Sequence, residues 1–213
     1  MRTMLTLAAV AALAMPLSAQ ANTDPDKAVA GGGKLPAGWS ARTDKGAPMT
    51  NVKFETMGSG LHVTLGPAVI LWQAKDAVTG PFHMVASFNQ TKAPTHAEAY
   101  GLFFAGKDLD GEGQSYTYFL IRKDGKFLVK TRTGAQATNV TAGWVENAAV
   151  VKEDTTGKQA NKLEITVGKD KVTFSVNGTE VHSMAATSTA GVAGLRINHN
   201  LDLHVSGFGV HPM

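Results

Sequence analysis

From Val52 onward the chain alternates apolar and polar residues with a period of two, the spacing that sends successive side chains to opposite faces of a β-strand. Residues 52–56 and 61–65 are short runs of this kind, and Pro67 and Gly80 bracket the more apolar stretch AVILWQ. In FHMVASFN, Phe82, Met84, Ala86 and Phe88 share one face, while His83, Val85, Ser87 and Asn89 share the other. AYGLFFA, from Ala99, is apolar on both faces, as a central strand covered on two sides can be. Residues 163–167 and 172–176 alternate cleanly. They are followed by Asn177-Gly178, a strong signal for a type I′ turn, which would pair Val176 with Thr179 and Phe174 with Val181. Residues 195–198 and 201–205 close the pattern. The only helical expectation is a single turn within residues 142–153. About ten to thirteen strands separated by Gly, Asn and Asp turns predict a single all-β domain, a sandwich or barrel.

The stretch SYTYFLIRKDGKFLVKTRTG, Ser115 to Gly134, reads as a hairpin with two registers open to it. A two-residue turn at Asp124-Gly125 would set Lys123 against Lys126. A three-residue loop of Lys123, Asp124 and Gly125, with Gly125 at a left-handed bulge position, pairs Arg122 with Lys126 instead. A slip of one residue moves every side chain of one arm to the other face. Only the second register puts Phe119, Ile121, Phe127 and Val129 together. It leaves Tyr116, Tyr118, Leu120, Leu128, Lys130 and Arg132 on the opposite face. That aromatic and basic face is either an ordinary sheet surface, with tyrosines packed on lysine stems, or a ligand platform. In the second case tyrosine stacks on a sugar ring while Lys and Arg donate hydrogen bonds to hydroxyls or acids.

The first residues change the setting. Arg2, the apolar run Leu5 to Leu17 and the site Ala19-Gln20-Ala21 predict a secretory leader over residues 1–21, too short to span a bilayer as a mature helix. Residues 22–37, with a Gly triplet and prolines, read as a flexible lead-in, and 38–213 as the domain. The expected destination is the periplasm or the exterior. With no cysteine, the chain has neither a disulfide nor a thiol for lipid anchoring, so stability falls to core packing. A formal net charge of +3, from 20 basic and 17 acidic residues, is no nucleic-acid footprint. No later segment is apolar enough for membrane insertion as a helix.

AYGLFFAGKDLDGEGQSYTYFLIRKDGKFLVKTRTG, then NKLEITVGKDKVTFSVNGTEV, then GVAGLRI, resemble the concanavalin A-like lectin/glucanase superfamily. Within it they are most similar to 3-keto-disaccharide hydrolase-like domains of exported bacterial proteins. The resemblance runs from about Gly38 to Val210. It implies a jelly-roll β-sandwich of two antiparallel sheets. Its motifs mark strands and turns, so it brings over no catalytic residue.

A retaining glycosidase needs two carboxylates about 5–5.5 Å apart. The superfamily's glucanases present them in a Glu-x-Asp-x-Glu motif, which this chain lacks. The loop from Asp108 to Gly113 offers Asp108, Asp110 and Glu112 at alternate positions, which is either a calcium site or a polar Gly-rich turn. An EF-hand is excluded because its twelfth position is Phe119. Asp202 and His204 would share a strand face opposite Leu201, Leu203 and Val205. Arg196 and Asn198 leave the preceding strand on a comparable face. Trp72, in an apolar run, belongs to the core, and Trp144, after a polar loop, is a sugar-stacking candidate at a rim. The ligand-binding candidates are therefore Tyr116, Tyr118, Lys130, Arg132 and Trp144, with Arg196, Asp202 and His204 as a second group. The expected function is carbohydrate binding, with a glycan as partner. A glycoside-processing enzyme and a protein-interaction domain are the alternatives.

Overall fold

A computed structural model describes residues 25–213, in which the alternating pattern becomes fifteen strands and two 3-10 turns. The expected leader lies outside the described residues. Residues 25–37 form no strand, but they are tied to the domain. Lys27 N donates to Asn200 Oδ1 at 2.8 Å, Asn200 Nδ2 donates to Pro25 O at 3.1 Å, and Gly33 N donates to Val52 O at 2.9 Å.

The first sheet has the spatial order β1 (Ser40–Thr43), β4 (Val69–Val78), β14 (Gly191–Ile197), β6 (Ala99–Lys107), β7 (Ser115–Arg122), β8 (Lys126–Thr133) and β10 (Val145–Glu146). β9 (Gln136–Asn139) also pairs with β8. The second sheet runs β13 (Thr179–Ala185), β12 (Lys171–Val176), β11 (Gln159–Val167), β5 (Phe82–Gln90), β15 (Asp202–Pro212), β3 (Gly60–Leu65), β2 (Val52–Met57). Every pairing in both sheets is antiparallel. Residues 142–153 contain β10 and turns, with no helix.

Arg122 pairs with Lys126, and Gly125 adopts φ +81°, so the hairpin takes the three-residue loop. A left-handed residue is required there, and glycine meets that need without a Cβ penalty. At Asn177-Gly178 both residues have positive φ and Val176 meets Thr179. Phe174 meets His182 rather than Val181, because a bulge follows it.

The core between the sheets takes Leu102, Phe104, Phe119 and Val129 from the first sheet and Met84, Phe88, Ile165 and Phe174 from the second. Tyr100 carries its hydroxyl into this core and donates to Gln159 Oε1 at 2.8 Å, which satisfies a polar atom that burial would otherwise penalise.

The first sheet is also covered on its outer face. Ile70, Trp72, Ala99, Phe103, Leu109, Tyr116, Tyr118 and Leu120 form a second apolar cluster there. This corrects the expectation that the two tyrosine rings lie on an open surface, since Tyr116 is 2% and Tyr118 8% exposed. Trp72 is buried as expected, though in this outer cluster. The double burial explains why β6 is apolar on both faces while most strands of the second sheet alternate.

Two substitutions separate the clusters. Phe119→Ala should cost about 3–5 kcal/mol, the range for a fully buried aromatic. Tyr118→Ala should also destabilise, by a smaller amount, because its ring is packed but lies at the cluster's margin. Urea denaturation of both variants measures the difference, and a Tyr118→Ala midpoint equal to the parent's would contradict the outer cluster.

Candidate functional site

Strand register alone lays out the outer face of the first sheet. One row across the sheet is Ser40, Trp72, Gly194, Phe103, Tyr118, Lys130, Asn139. A parallel row is Arg42, Ile70, Arg196, Gly101, Leu120, Leu128. Tyr116 lies opposite Arg132, and Arg122 opposite Lys126. Five of the nominated residues therefore share one face: Tyr116, Tyr118, Lys130, Arg132 and Arg196. Trp144 packs against the same cluster from the loop before β10.

Arg196 is 7% exposed and forms a fork with Asp44, its Nη1 donating to Oδ1 at 2.7 Å and its Nη2 to Oδ2 at 2.6 Å. Burial works against the guanidinium's charge, but Asp44 more than offsets it and holds the proton firmly. The Tyr116 and Tyr118 rings meet at 5.6 Å between centroids, tilted by 51°, with Phe103 5.1 Å from Tyr116. Burial pushes both phenols above their ordinary range, and Arg196 opposes the shift.

Toward β8 the face opens. Lys130 and Arg132 are half-buried, and among the described residues neither has an acidic partner; Arg132 Nε donates to the Gly134 carbonyl at 3.0 Å. Arg122 stands over the Trp144 ring at 4.6 Å, a cation–π contact, while it holds Asp124 through two bonds of 2.7 Å. Burial alone would raise Asp124, but Arg122 and Lys126 keep it below the usual carboxylate range.

The remaining nominated residues fall elsewhere. Asp202 and His204 lie on the outer face of the second sheet, on the opposite side of the sandwich from Arg196. Asp202 is held by His62 Nε2 at 3.1 Å, Lys92 Nζ at 3.3 Å and the Thr91 hydroxyl. These contacts outweigh burial and lower its pKa. The His204 ring stacks on His62 at 6.4 Å.

The loop from Asp108 to Gly113 is tied to β1 through Arg42. Arg42 Nη1 donates to the carbonyls of Leu109, at 3.3 Å, and Gly111, and Gly111 N donates to Asp108 O at 3.0 Å. A guanidinium therefore sits on backbone oxygens of this loop. Among the described residues no three His, Asp or Glu side chains come together as a metal-holding set, Asp108, Asp110 and Glu112 included.

Sequence reasoning passed over Arg42, Asp44 and Arg122. Arg122 was legible as the hairpin partner of Lys126. Arg42 and Asp44 sit in a short N-terminal strand and turn whose partner is far along the chain.

No protein-family model matches the chain, and no curated protein matches it. Solved structures do. The carbohydrate binding module CBM66 from Bacillus subtilis superposes with a TM-score of 0.60 at 10% identity, over 87% of this chain and 99% of that one. A Bacillus subtilis protein of unknown function with a galectin-like fold gives 0.55 at 13%, over 81% and 88%. The fold is a jelly-roll β-sandwich. Bacteroides ovatus Xyloglucan PUL GH43B gives 0.53 at 12% identity, over 84% of this chain and 38% of that chain. At these identities the likeness is one of architecture.

The three tyrosines of the chain, Tyr100 included, all have phenols raised mainly by burial. A group whose folded pKa lies above its unfolded value contributes stability that is complete below the unfolded pKa, about 10 for a phenol, and is lost as pH rises past it. Phenolate absorbance should therefore stay silent until the fold is lost, and rise together with the loss of circular dichroism. A separate, earlier absorbance step would contradict the burial. Asp44→Ala should cost roughly 2–4 kcal/mol in urea denaturation. That is somewhat under the full penalty for stripping one partner from a buried pair, since Asp44 keeps some solvent.

Proposed function

We propose that this protein is an exported carbohydrate-binding β-sandwich whose ligand lies across β8 on the first sheet's outer face. The observation that carries this reading is the pair Lys130 and Arg132, two residues apart on β8 and, among the described residues, without acidic partners. They flank the tyrosine cluster, with Trp144 at the rim. Two cations of this kind can meet a carboxylate or sulfate, while the half-buried indole offers an apolar face to a sugar ring. The buried tyrosines and the Arg196–Asp44 fork serve as the rigid floor under these residues. Acidic glycans are therefore the favoured class over neutral ones at this face. The architecture shared with a carbohydrate-binding module supports the reading, and the leader pattern of residues 1–21 supports export to the periplasm or beyond.

A catalytic reading, in line with the resemblance to 3-keto-disaccharide hydrolases, has one observation in its favour. Asp76 on β4 has a carboxyl raised by burial, partly opposed by Lys75, and a buried oxygen without a hydrogen-bond partner.

Calorimetric titration with acidic and neutral oligosaccharides tests the binding reading. An acidic oligosaccharide should bind more tightly than its neutral counterpart, and less tightly as salt rises. Lys130→Ala or Arg132→Ala should each weaken it about tenfold, the loss of one charge-assisted bond. Trp144→Ala should weaken it comparably while leaving the fold stable. Equal binding of both sugar classes, or affinity untouched by the three variants, would remove the site from this face. Product analysis of any bound sugar, with Asp76→Asn as control, decides between binder and enzyme.

A further inference from the structure

Along most of their length the two sheets close over the core, but at the end next to the β2–β3 turn they part. There they leave a cavity of about 270 Å³. It draws its walls from both sheets: Trp39 and Gln73 from the β1–β4 side, Thr56, Ser59 and Leu61 from the β2–β3 hairpin, and Phe208 from β15. Trp39 and Phe208 meet at 5.6 Å between ring centroids and form an aromatic wall.

The inward stripes of the strands change character at this cavity. β2 points Val52, Phe54 and then Thr56 toward the opposite sheet, and β4 points Val69, Leu71 and then Gln73. A hydrophobic residue at either last position would extend the core and close the gap. Polar residues stand there instead. Among the described residues, neither the Gln73 amide nor the Trp39 indole N–H has a hydrogen-bond partner, although both line the cavity. No lining residue is charged.

We propose that this mouth is a second binding site, for a single neutral sugar ring such as the end of a glycan chain. The aromatic wall takes the ring's apolar C–H face. The indole N–H, the amide of Gln73 and the hydroxyls of Thr56 and Ser59 meet its hydroxyl groups. A purely apolar occupant would leave these polar groups unpaired, and a charged one would find no counter-ion. The volume lies just under the about 300–1,000 Å³ of pockets that hold drug-sized ligands, which suits one ring rather than several. The site is independent of the first sheet's outer face, and different residues test it.

The indole N–H resonances report on it directly, with the Trp39 signal assigned through its absence in Trp39→Phe. Titration of the protein with methyl glycosides of glucose, galactose, mannose and fructose, to about 50 mM, exceeds the millimolar Kd expected of one ring. The Trp39 signal should move saturably with at least one of them, while the Trp72 and Trp144 signals stay in place. Gln73→Ala, a change at the open mouth that spares the core, should weaken that binding about fivefold or more, as should Trp39→Ala. Glucuronate should have no effect on Trp39. A Trp39 signal unmoved by all four glycosides, an equal response to glucuronate, or binding indifferent to Gln73→Ala would each overturn the proposal. Loss of acidic-glycan binding in the Lys130 and Arg132 variants would leave this outcome untouched, so the two sites stand or fall separately.

Discussion

The outer face of the first sheet depends on the register in which β7 meets β8. Gly125 sets it, because only a left-handed residue at that position lets a three-residue loop join the strands with Arg122 opposite Lys126. One residue of slip on either strand would send Phe119 or Phe127 outward and bring basic side chains into the core. The cost of burying unpaired cations there would exceed what the hairpin itself contributes. From this register follow the pairing of Tyr118 with Lys130, the pairing of Tyr116 with Arg132, and the aromatic floor beneath them.

A sheet buried on both faces imposes a second condition. A polar residue at the middle of such a sheet has no water to turn to, so its partner must come from the protein. Arg196 occupies that position, and Asp44 reaches it from the turn after β1. The same logic places Arg42 on the carbonyls of the loop at Leu109 and Gly111. The Arg196–Asp44 fork thereby joins segments from the two ends of the chain, and Arg42 pins the β6–β7 loop onto β1. On β8 of the same face, Lys130 and Arg132 have no acidic partner among the described residues. The polar second-sheet face, with His62, His204 and Asp202, is by contrast internally satisfied through ion pairs and stacking, apart from His204 Nδ1.

The two candidate sites differ in how the fold makes them. One is a surface laid out by cross-strand rows, with half-buried charge beside a rigid aromatic floor. The other is a gap where the inward stripes of β2 and β4 turn polar before the sheets meet. Charged residues dominate the first and are absent from the lining of the second. The two lie on different parts of the sandwich and share no lining residue.

The sequence by itself determined the all-β class, the positions of most strands, the hairpin register and the sorting of Tyr116, Tyr118, Lys130 and Arg132 onto one face. These follow from local periodicity and turn chemistry, which act over a few residues. Tertiary structure alone decided that the tyrosines are buried, that Arg196 joins them while Asp202 and His204 lie on the far side, and that Trp39 and Gln73 border one cavity. Period two assigns a residue to a face of its own strand, but not the sheet that strand joins or what covers it. The neighbours of β14, for instance, are β4 and β6, about a hundred residues earlier in the chain. Pairings at that distance are selected by the packing of the whole core and leave no local signature.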